Sequence, residues 1–201
     1  VDLSQVNKNK VGTYPVTLSY EGQTCSYDVT YSINTKKQYE LVTNSSSLKA
    51  GDTIVIGNKD AKKVNGDFES KYLTAVNAEF SDDTISSNDA CEFVLGGSSS
   101  AWTLSTTGDN PKQLGSKSGG DLVLGGTTGT FTWKITCSSD SWSLASTATD
   151  NGKMYFNSGS PRFKCYTSST MASIEIYKLV SVAKVLIPSV DSVYGEKDDT
   201  F

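Results

Sequence analysis

The sequence predicts an all-β chain with a threefold central body, and three observations carry that expectation. Lys71-Tyr72-Leu73, Lys112-Gln113-Leu114 and Lys153-Met154-Tyr155 stand 41 residues apart, twice in succession. Phe93-Val94-Leu95, Trp133-Lys134-Ile135 and Ile174-Glu175-Ile176 follow those lysines by about twenty residues each time. A short alternating strand belongs to each unit: Ile54-Val55-Ile56, Trp102-Thr103-Leu104 and Trp142-Ser143-Leu144. A fixed period of this length marks a repeated supersecondary unit. Three units of four short strands make a β-trefoil, in which six strands close a barrel and three hairpins cap it. Closure removes the exposed edges of an open sheet. A β-sandwich also uses many short strands, but it gives no reason for a threefold spacing.

Taken in order, residues 1–34 differ from the rest of the chain. Tyr14, Val16, Leu18 and Tyr20 alternate, Glu21-Gly22 turns the chain, and Cys25, Tyr27, Val29, Tyr31 and Ile33 alternate back. That pattern is a β-hairpin with one apolar face. Further strands are predicted at Tyr39–Thr43, Thr53–Gly57, Tyr72–Ala75, Phe93–Leu95, Trp102–Ser105, Leu122–Leu124, Phe131–Thr136, Trp142–Ala145, Arg162–Tyr166 and Ile174–Leu179. Turn-rich stretches such as Gly108-Asp109-Asn110-Pro111 and Asp150-Asn151-Gly152 separate them. The leading strand Tyr39–Thr43 is expected to pair with the last, Ile174–Leu179. Trp102, Trp133 and Trp142 share faces with Leu104, Ile135 and Leu144, which assigns all three rings to the core.

Composition narrows the function. The 201 residues carry a formal charge of -4, from 18 basic and 22 acidic side chains, and Arg162 is the single arginine. A positive stripe with arginine forks, the footprint of nucleic-acid binding, is missing. No apolar run reaches the ~18 residues of a membrane-spanning helix. The four cysteines, Cys25, Cys91, Cys137 and Cys165, show no metal spacing. Each falls in phase with apolar neighbours, so they are expected to be buried thiols acting as small hydrophobes.

The segment VGTYPVTLSYEGQTCSYDVTYSI resembles the closing strands of bacterial immunoglobulin-like repeats, and Ser192–Phe201 resembles the opening of another. The resemblance implies three parts: residues 1–35 as the end of one such module, 36–180 as the trefoil domain, and 181–201 as a linker and the start of the next. Residues 38–180, with YELVTNSSSLKAGDTIVIGN, KYLTAVNAEFSDDTISSNDACEFVLGG, AWTLST and MYFNSGSPRFKCYTSS, resemble an accessory domain of secreted and surface-anchored proteins of gut and soil bacteria. That implies an extracellular or cell-surface location. The threefold pattern is also similar to ricin-type β-trefoil lectins, without the Gln-x-Trp signal of each repeat, so no sugar-binding residue carries over.

The chain has no histidine, which removes the commonest general base, the Ser-His-Asp and Cys-His arrangements, and most zinc sites. Its aspartates sit in polar turns, where they stabilise backbone geometry. No catalytic residue, metal ligand or cofactor is assigned, and the chain is expected to act as a monomer without enzymatic activity. What remains is recognition. Sugars are held by an apolar ring face with a few directed polar groups. Tyr72 and Tyr166 alternate away from Leu73 and Cys165, Arg162 shares the outward phase of Tyr166, and Asn157 and Ser158 precede them. Tyr72, Asn157, Ser158, Arg162 and Tyr166 are therefore the candidate ligand-binding residues. The expected partner is a glycan or host glycoprotein. The alternatives are a protein-binding adhesin that grips host immunoglobulin or mucin, and a spacer in a stalk.

Overall fold

The computed structural model describes residues 1–7, 10–138, 141–168 and 170–190. Within them the chain is all-β, with sixteen strands and two single-turn 3-10 segments, Ser45–Ser47 and Thr149–Asn151. It divides into two compact units: Lys37–Val182, and a second formed by Val1–Lys36 with the chain from Ala183 on. The Ser192–Phe201 segment, read above as the opening of a further module, lies outside the described residues.

In the smaller unit, β1 (Gly12–Tyr20) pairs antiparallel with β2, which begins at Gln23 and runs to Leu41. The turn residues Glu21 and Gly22 have φ of 48° and 82°, the left-handed geometry whose twist matches the flanking strands of a two-residue hairpin. Tyr14 faces Val29, Val16 faces Tyr27 and Leu18 faces Cys25, which puts the apolar residues on one face, as the alternation requires. The opposite face is tied by hydroxyl pairs, Thr13 with Thr30 at 2.9 Å and Thr17 with Ser26 at 3.3 Å.

In the larger unit, β3 (Thr53–Asn58), β4 (Lys63–Glu69) and β5 (Tyr72–Asn77) form an antiparallel succession. A short hairpin of β6 (Glu79–Ser81) and β7 (Thr84–Ser86) comes next and pairs with the Gln38–Glu40 end of β2. β8 (Phe93–Ser98) pairs with β9 (Ala101–Thr106), β9 with β10 (Gln113–Ser116), and β10 with β11 (Leu122–Leu124). The same succession returns in β12 (Trp133–Ser138), β13 (Ser141–Ser146), β14 (Lys153–Asn157) and β15 (Arg162–Tyr166). β16 (Glu175–Val190) pairs with β3 through Glu175–Lys178 and has β2 as its other neighbour. The expected pairing of leading and last strands is thus present, and Val42 N–H also donates to the Ile176 carbonyl at 3.0 Å.

Alternation along these strands sends one set of side chains into a single apolar core. Ile54, Ile56, Leu73, Phe93, Leu104, Leu114, Trp133, Leu144, Phe163 and Ile176 are fully buried within it. Burial of each large apolar side chain contributes about 1.5–3 kcal/mol. Trp102 and Trp142 join them at 3% and 6% exposure, so the core assignment of all three tryptophans holds. A smaller cluster of Tyr39, Val55, Val64, Ile85 and Tyr177 lies on the other face of the β3 region. Its presence explains the β6–β7 hairpin, because Ile85 supplies the apolar side chain that the extra hairpin brings to it.

Two expectations need correction. The lysines of the 41-residue spacing do not occupy matching places: Lys71 lies in the turn between β4 and β5, whereas Lys112 precedes β10 and Lys153 opens β14. The strand that answers β10 and β14 is β4. Val64, Gln113 and Lys153 face Gly57, Ser105 and Ala145 respectively. The β6–β7 hairpin lengthens the first succession, so the step from Lys71 to Lys112 joins a hairpin turn to a strand start.

The cysteines also diverge. Cys165 is buried and Cys91 and Cys137 are half-buried, but Cys25 is exposed, because it sits beside the hairpin turn where the apolar face runs out. Cys25, Cys91 and Cys165 are free thiols. Burial raises the Cys165 thiol to about 12 and, with Asp67 and Glu92 adding to it, the Cys91 thiol to about 11. Only the thiolate reacts, so a disulfide-exchange reagent at neutral pH should label Cys25 first. Mass mapping that found Cys165 labelled ahead of Cys25 would contradict this packing.

Candidate functional site

β14 and β15 form a hairpin whose register separates two faces. Met154 opposite Cys165 and Phe156 opposite Phe163 point into the core, and all four are buried. Lys153 opposite Tyr166, Tyr155 opposite Lys164, and Asn157 opposite Arg162 make up the other face. β5 extends it, with Arg162 opposite Thr74 and Phe163 opposite Leu73, so Tyr72 falls on the same outward side.

Four of the five predicted site residues are linked here. The Arg162 guanidinium carbon stands 5.3 Å from the centre of the Tyr72 ring, within the range of a cation–π contact. Asn157 Nδ2 donates to Tyr166 Oη at 3.0 Å, while its Oδ1 accepts from the Ser160 N–H at 3.1 Å. Asn157 therefore holds the turn and the tyrosine together. Tyr72 and Tyr166 are half-buried, where alternation had suggested exposed rings; their contacts with Arg162 and Asn157 cover part of each. Ser158 is exposed in the turn and forms no hydrogen bond to the other four among the described residues.

Sequence reasoning missed the neighbours that give this face its shape. Tyr155 stands edge-on to Tyr166, with ring centres 6.5 Å apart at 68°. Lys153 Nζ lies 5.1 Å above the Tyr155 ring. Together with Ser146, Thr149, Tyr166 and Thr167 they line a hollow of about 600 Å³. Its support is a buried polar trio. Asn151 Nδ2 donates to the Ser116 carbonyl at 3.0 Å and to Ser116 Oγ at 3.1 Å, and Ser116 Oγ donates to Ser146 Oγ at 2.8 Å. A buried polar group left without a partner is costly, so this trio fixes the rim on which Ser146 sits. Asn151 was legible only as a turn residue.

Asp121, between β10 and β11, bridges Lys164 at 2.6 Å and Lys71 at 2.7 Å. Hydrogen bonds from Lys164 first, then Lys71, hold its carboxyl below the ordinary carboxylate value of 3.8. A lowered folded-state pKa contributes stability that is present above the unfolded value and lost as pH falls through the folded one. Asp121→Asn should therefore melt below the wild type at neutral pH, with the gap closing below pH 3.8. Melts at pH 7 and about pH 2.5 check this; a gap of equal size at both would contradict it.

A second hollow, of about 540 Å³, is lined in part by Lys37, Asp67, Cys91 and Glu92. Glu92 is buried, and both its oxygens are taken, by Lys37 Nζ at 2.7 Å and Tyr39 Oη at 2.9 Å. Burial first, and then Glu92, push the Tyr39 hydroxyl far above its usual value. The group is a satisfied structural trio, in which each carboxylate oxygen of Glu92 already accepts a hydrogen bond. Among the described residues, no three His, Cys, Asp or Glu side chains cluster to hold a metal ion. No helix among them is long and apolar enough to cross a membrane.

The molecule is thus an all-β chain of antiparallel hairpins carrying one aromatic and cationic strand face. No family model and no curated protein matches the sequence. Among solved structures, the crystal structure of the lysenin pore aligns with a TM-score of 0.42 and 15% identity, over 84% of this chain and 55% of that chain. The chain thus spans about half the length of that one.

Proposed function

We propose that Lys37–Val182 is a β-trefoil recognition module that binds glycans outside the cell. The trefoil reading is supported by the pairing pattern. Three hairpins, β4–β5, β10–β11 and β14–β15, alternate with barrel strands that pair as β3–β8, β8–β9, β9–β12, β12–β13 and β16–β3. The β6–β7 hairpin is then an insertion in the first repeat. In the same reading, the β1–β2 hairpin is the closing pair of an immunoglobulin-like module of a bacterial surface protein.

The observation that carries the binding reading is the position of Tyr166. It lines the 600 Å³ hollow, meets Tyr155 edge-on and accepts a hydrogen bond from Asn157. A ring with directed polar groups beside a concave surface is the chemistry by which sugars are oriented. Fold alone would not license this step.

The test is binding of the full chain to an array of glycans and host secretory glycoproteins, with free-sugar competition. Glycan signal is expected, competed by free sugar and reduced at least tenfold in Tyr166→Ala. Tyr166→Phe, which keeps the ring and removes the hydroxyl, controls for folding and should lose less. Signal that survives deglycosylation of the glycoproteins would replace this reading with a protein receptor, and silence throughout would leave a spacer.

A further inference from the structure

We propose that this face selects acidic oligosaccharides, those bearing a carboxylate or sulfate, with Arg162 as the anion-binding residue and Lys153 as a second cationic contact. The inference rests on the glycan reading above and specifies its substrate class.

Four cationic side chains belong to the hairpin surface: Lys71, Lys153, Arg162 and Lys164. Two of them are already engaged, since Lys71 and Lys164 share Asp121. The other two are not. Arg162 and Lys153 form no ion pair among the described residues, and each lies over a tyrosine ring instead. Two acidic groups also belong to this surface: Asp121, held by Lys71 and Lys164, and Glu69, opposite Tyr72 and exposed.

Arg162 carries a second sign. Its Nε is buried and has no hydrogen-bond acceptor. That leaves the terminal nitrogens, which are not among the buried unpartnered atoms, as the edge of the guanidinium that an anion can meet. The two terminal nitrogens of the planar guanidinium stand side by side and match the two oxygens of a carboxylate or sulfate. The Tyr72 ring beneath restrains the guanidinium in place.

Spacing sets the length of the ligand. Asn157 faces Arg162 and Lys153 faces Tyr166, so the two cations stand four residues apart along the hairpin, roughly 13 Å at the rise of an extended strand. Tyr155 and Lys164, the latter held by Asp121, lie midway between them. That span exceeds one sugar ring, so the fitting ligand is an oligosaccharide with an acidic group near one end.

The experiment titrates the full chain with oligogalacturonides and their methyl esters, with sialyllactose and lactose, and with sulfated and desulfated chondroitin oligosaccharides. Acidic members are expected to bind at least about tenfold more tightly than neutral counterparts, as loss of a charged hydrogen bond predicts. That preference should weaken as salt rises. Arg162→Gln should remove it, Arg162→Lys should restore only part because the fork is lost, and Lys153→Gln should cost a few-fold, as for an exposed pair. Lys134→Gln, an exposed lysine on β12, should bind as the wild type does, and melting curves confirm that each variant is folded. Preference within the carboxylate pairs or within the chondroitin pair identifies which anion is read.

Equal binding of acidic and neutral members, lost in Tyr166→Ala, would overturn the acidic preference while leaving the glycan reading intact. An undiminished preference in folded Arg162→Gln would overturn the role of that residue. Absence of binding to every sugar would overturn both readings together.

Discussion

Trp133→Ala is expected to destabilise Lys37–Val182 by about 3–5 kcal/mol, the range for removing a buried aromatic side chain. Trp133 is fully buried and lies on β12 directly opposite Trp102 of β9. Its Nε1 donates to the Leu114 carbonyl at 2.9 Å. Truncation therefore leaves a cavity at the junction of β9, β10 and β12 and also removes the partner of a buried carbonyl, which adds to the loss. For a domain of this size the melting temperature should fall by about 10 °C. Trp133→Phe keeps most of the volume and should fall by less. Urea unfolding followed by circular dichroism gives both values, and a loss below about 1 kcal/mol for the alanine variant would contradict the packing.

Gly120→Ala is expected to cost a comparable amount for a different reason. Gly120 has a φ of 82°, which an alanine adopts only with strain. A Cβ at that position would collide with the backbone carbonyl of Cys165 on β15. Strain and overpacking each contribute about 1–3 kcal/mol. Neither can be relieved by rotating a side chain, because the obstacle is backbone. The neighbouring Asp121 holds Lys71 and Lys164, and Lys71 carbonyl accepts the Leu122 N–H at 2.9 Å. Displacing the glycine thus disturbs the seam between three hairpins. Gly119, with φ of 82° and open space around it, is the matched control, and Gly119→Ala should cost distinctly less. Equal melting of the two variants would show that the Cys165 contact is unimportant.

Strands whose apolar residues alternate were readable from the sequence, as at Trp102 and Leu104, Trp142 and Leu144, and Arg162 to Tyr166. Other strands were not. Asn65-Gly66-Asp67 reads as a turn, yet it lies inside β4, where the register shifts between Asn65 and Phe68. Asn65 is fully buried because its side chain accepts the Ile56 N–H and donates to the Cys91 carbonyl, each at 2.7 Å. Both partners are distant in sequence, so the polar residue conceals a core position. β6 and β7 each offer one apolar side chain, Phe80 and Ile85, too few for periodicity to register. At the site, alternation on β15 and β5 identified Arg162, Tyr166 and Tyr72. Met154-Tyr155-Phe156 has three apolar residues in a row, so nothing in it says that Tyr155 turns toward Tyr166. Asp121 reaches Lys164 from another hairpin, a pairing that local pattern cannot contain.

Ile56 of β3 lies opposite Ile176 of β16, and that neighbourhood governs when the domain can fold. The two strands are separated by nearly the whole of the unit, so their contact carries a large loop-closure entropy and belongs to the slow end of folding rates. On the ribosome, β3 must wait with an open, apolar edge until the last strand has been synthesised. An unsatisfied edge of that kind invites pairing with another chain. Completion of the final strand, more than formation of any single hairpin, is the step that commits nascent chains to a folded, unaggregated product.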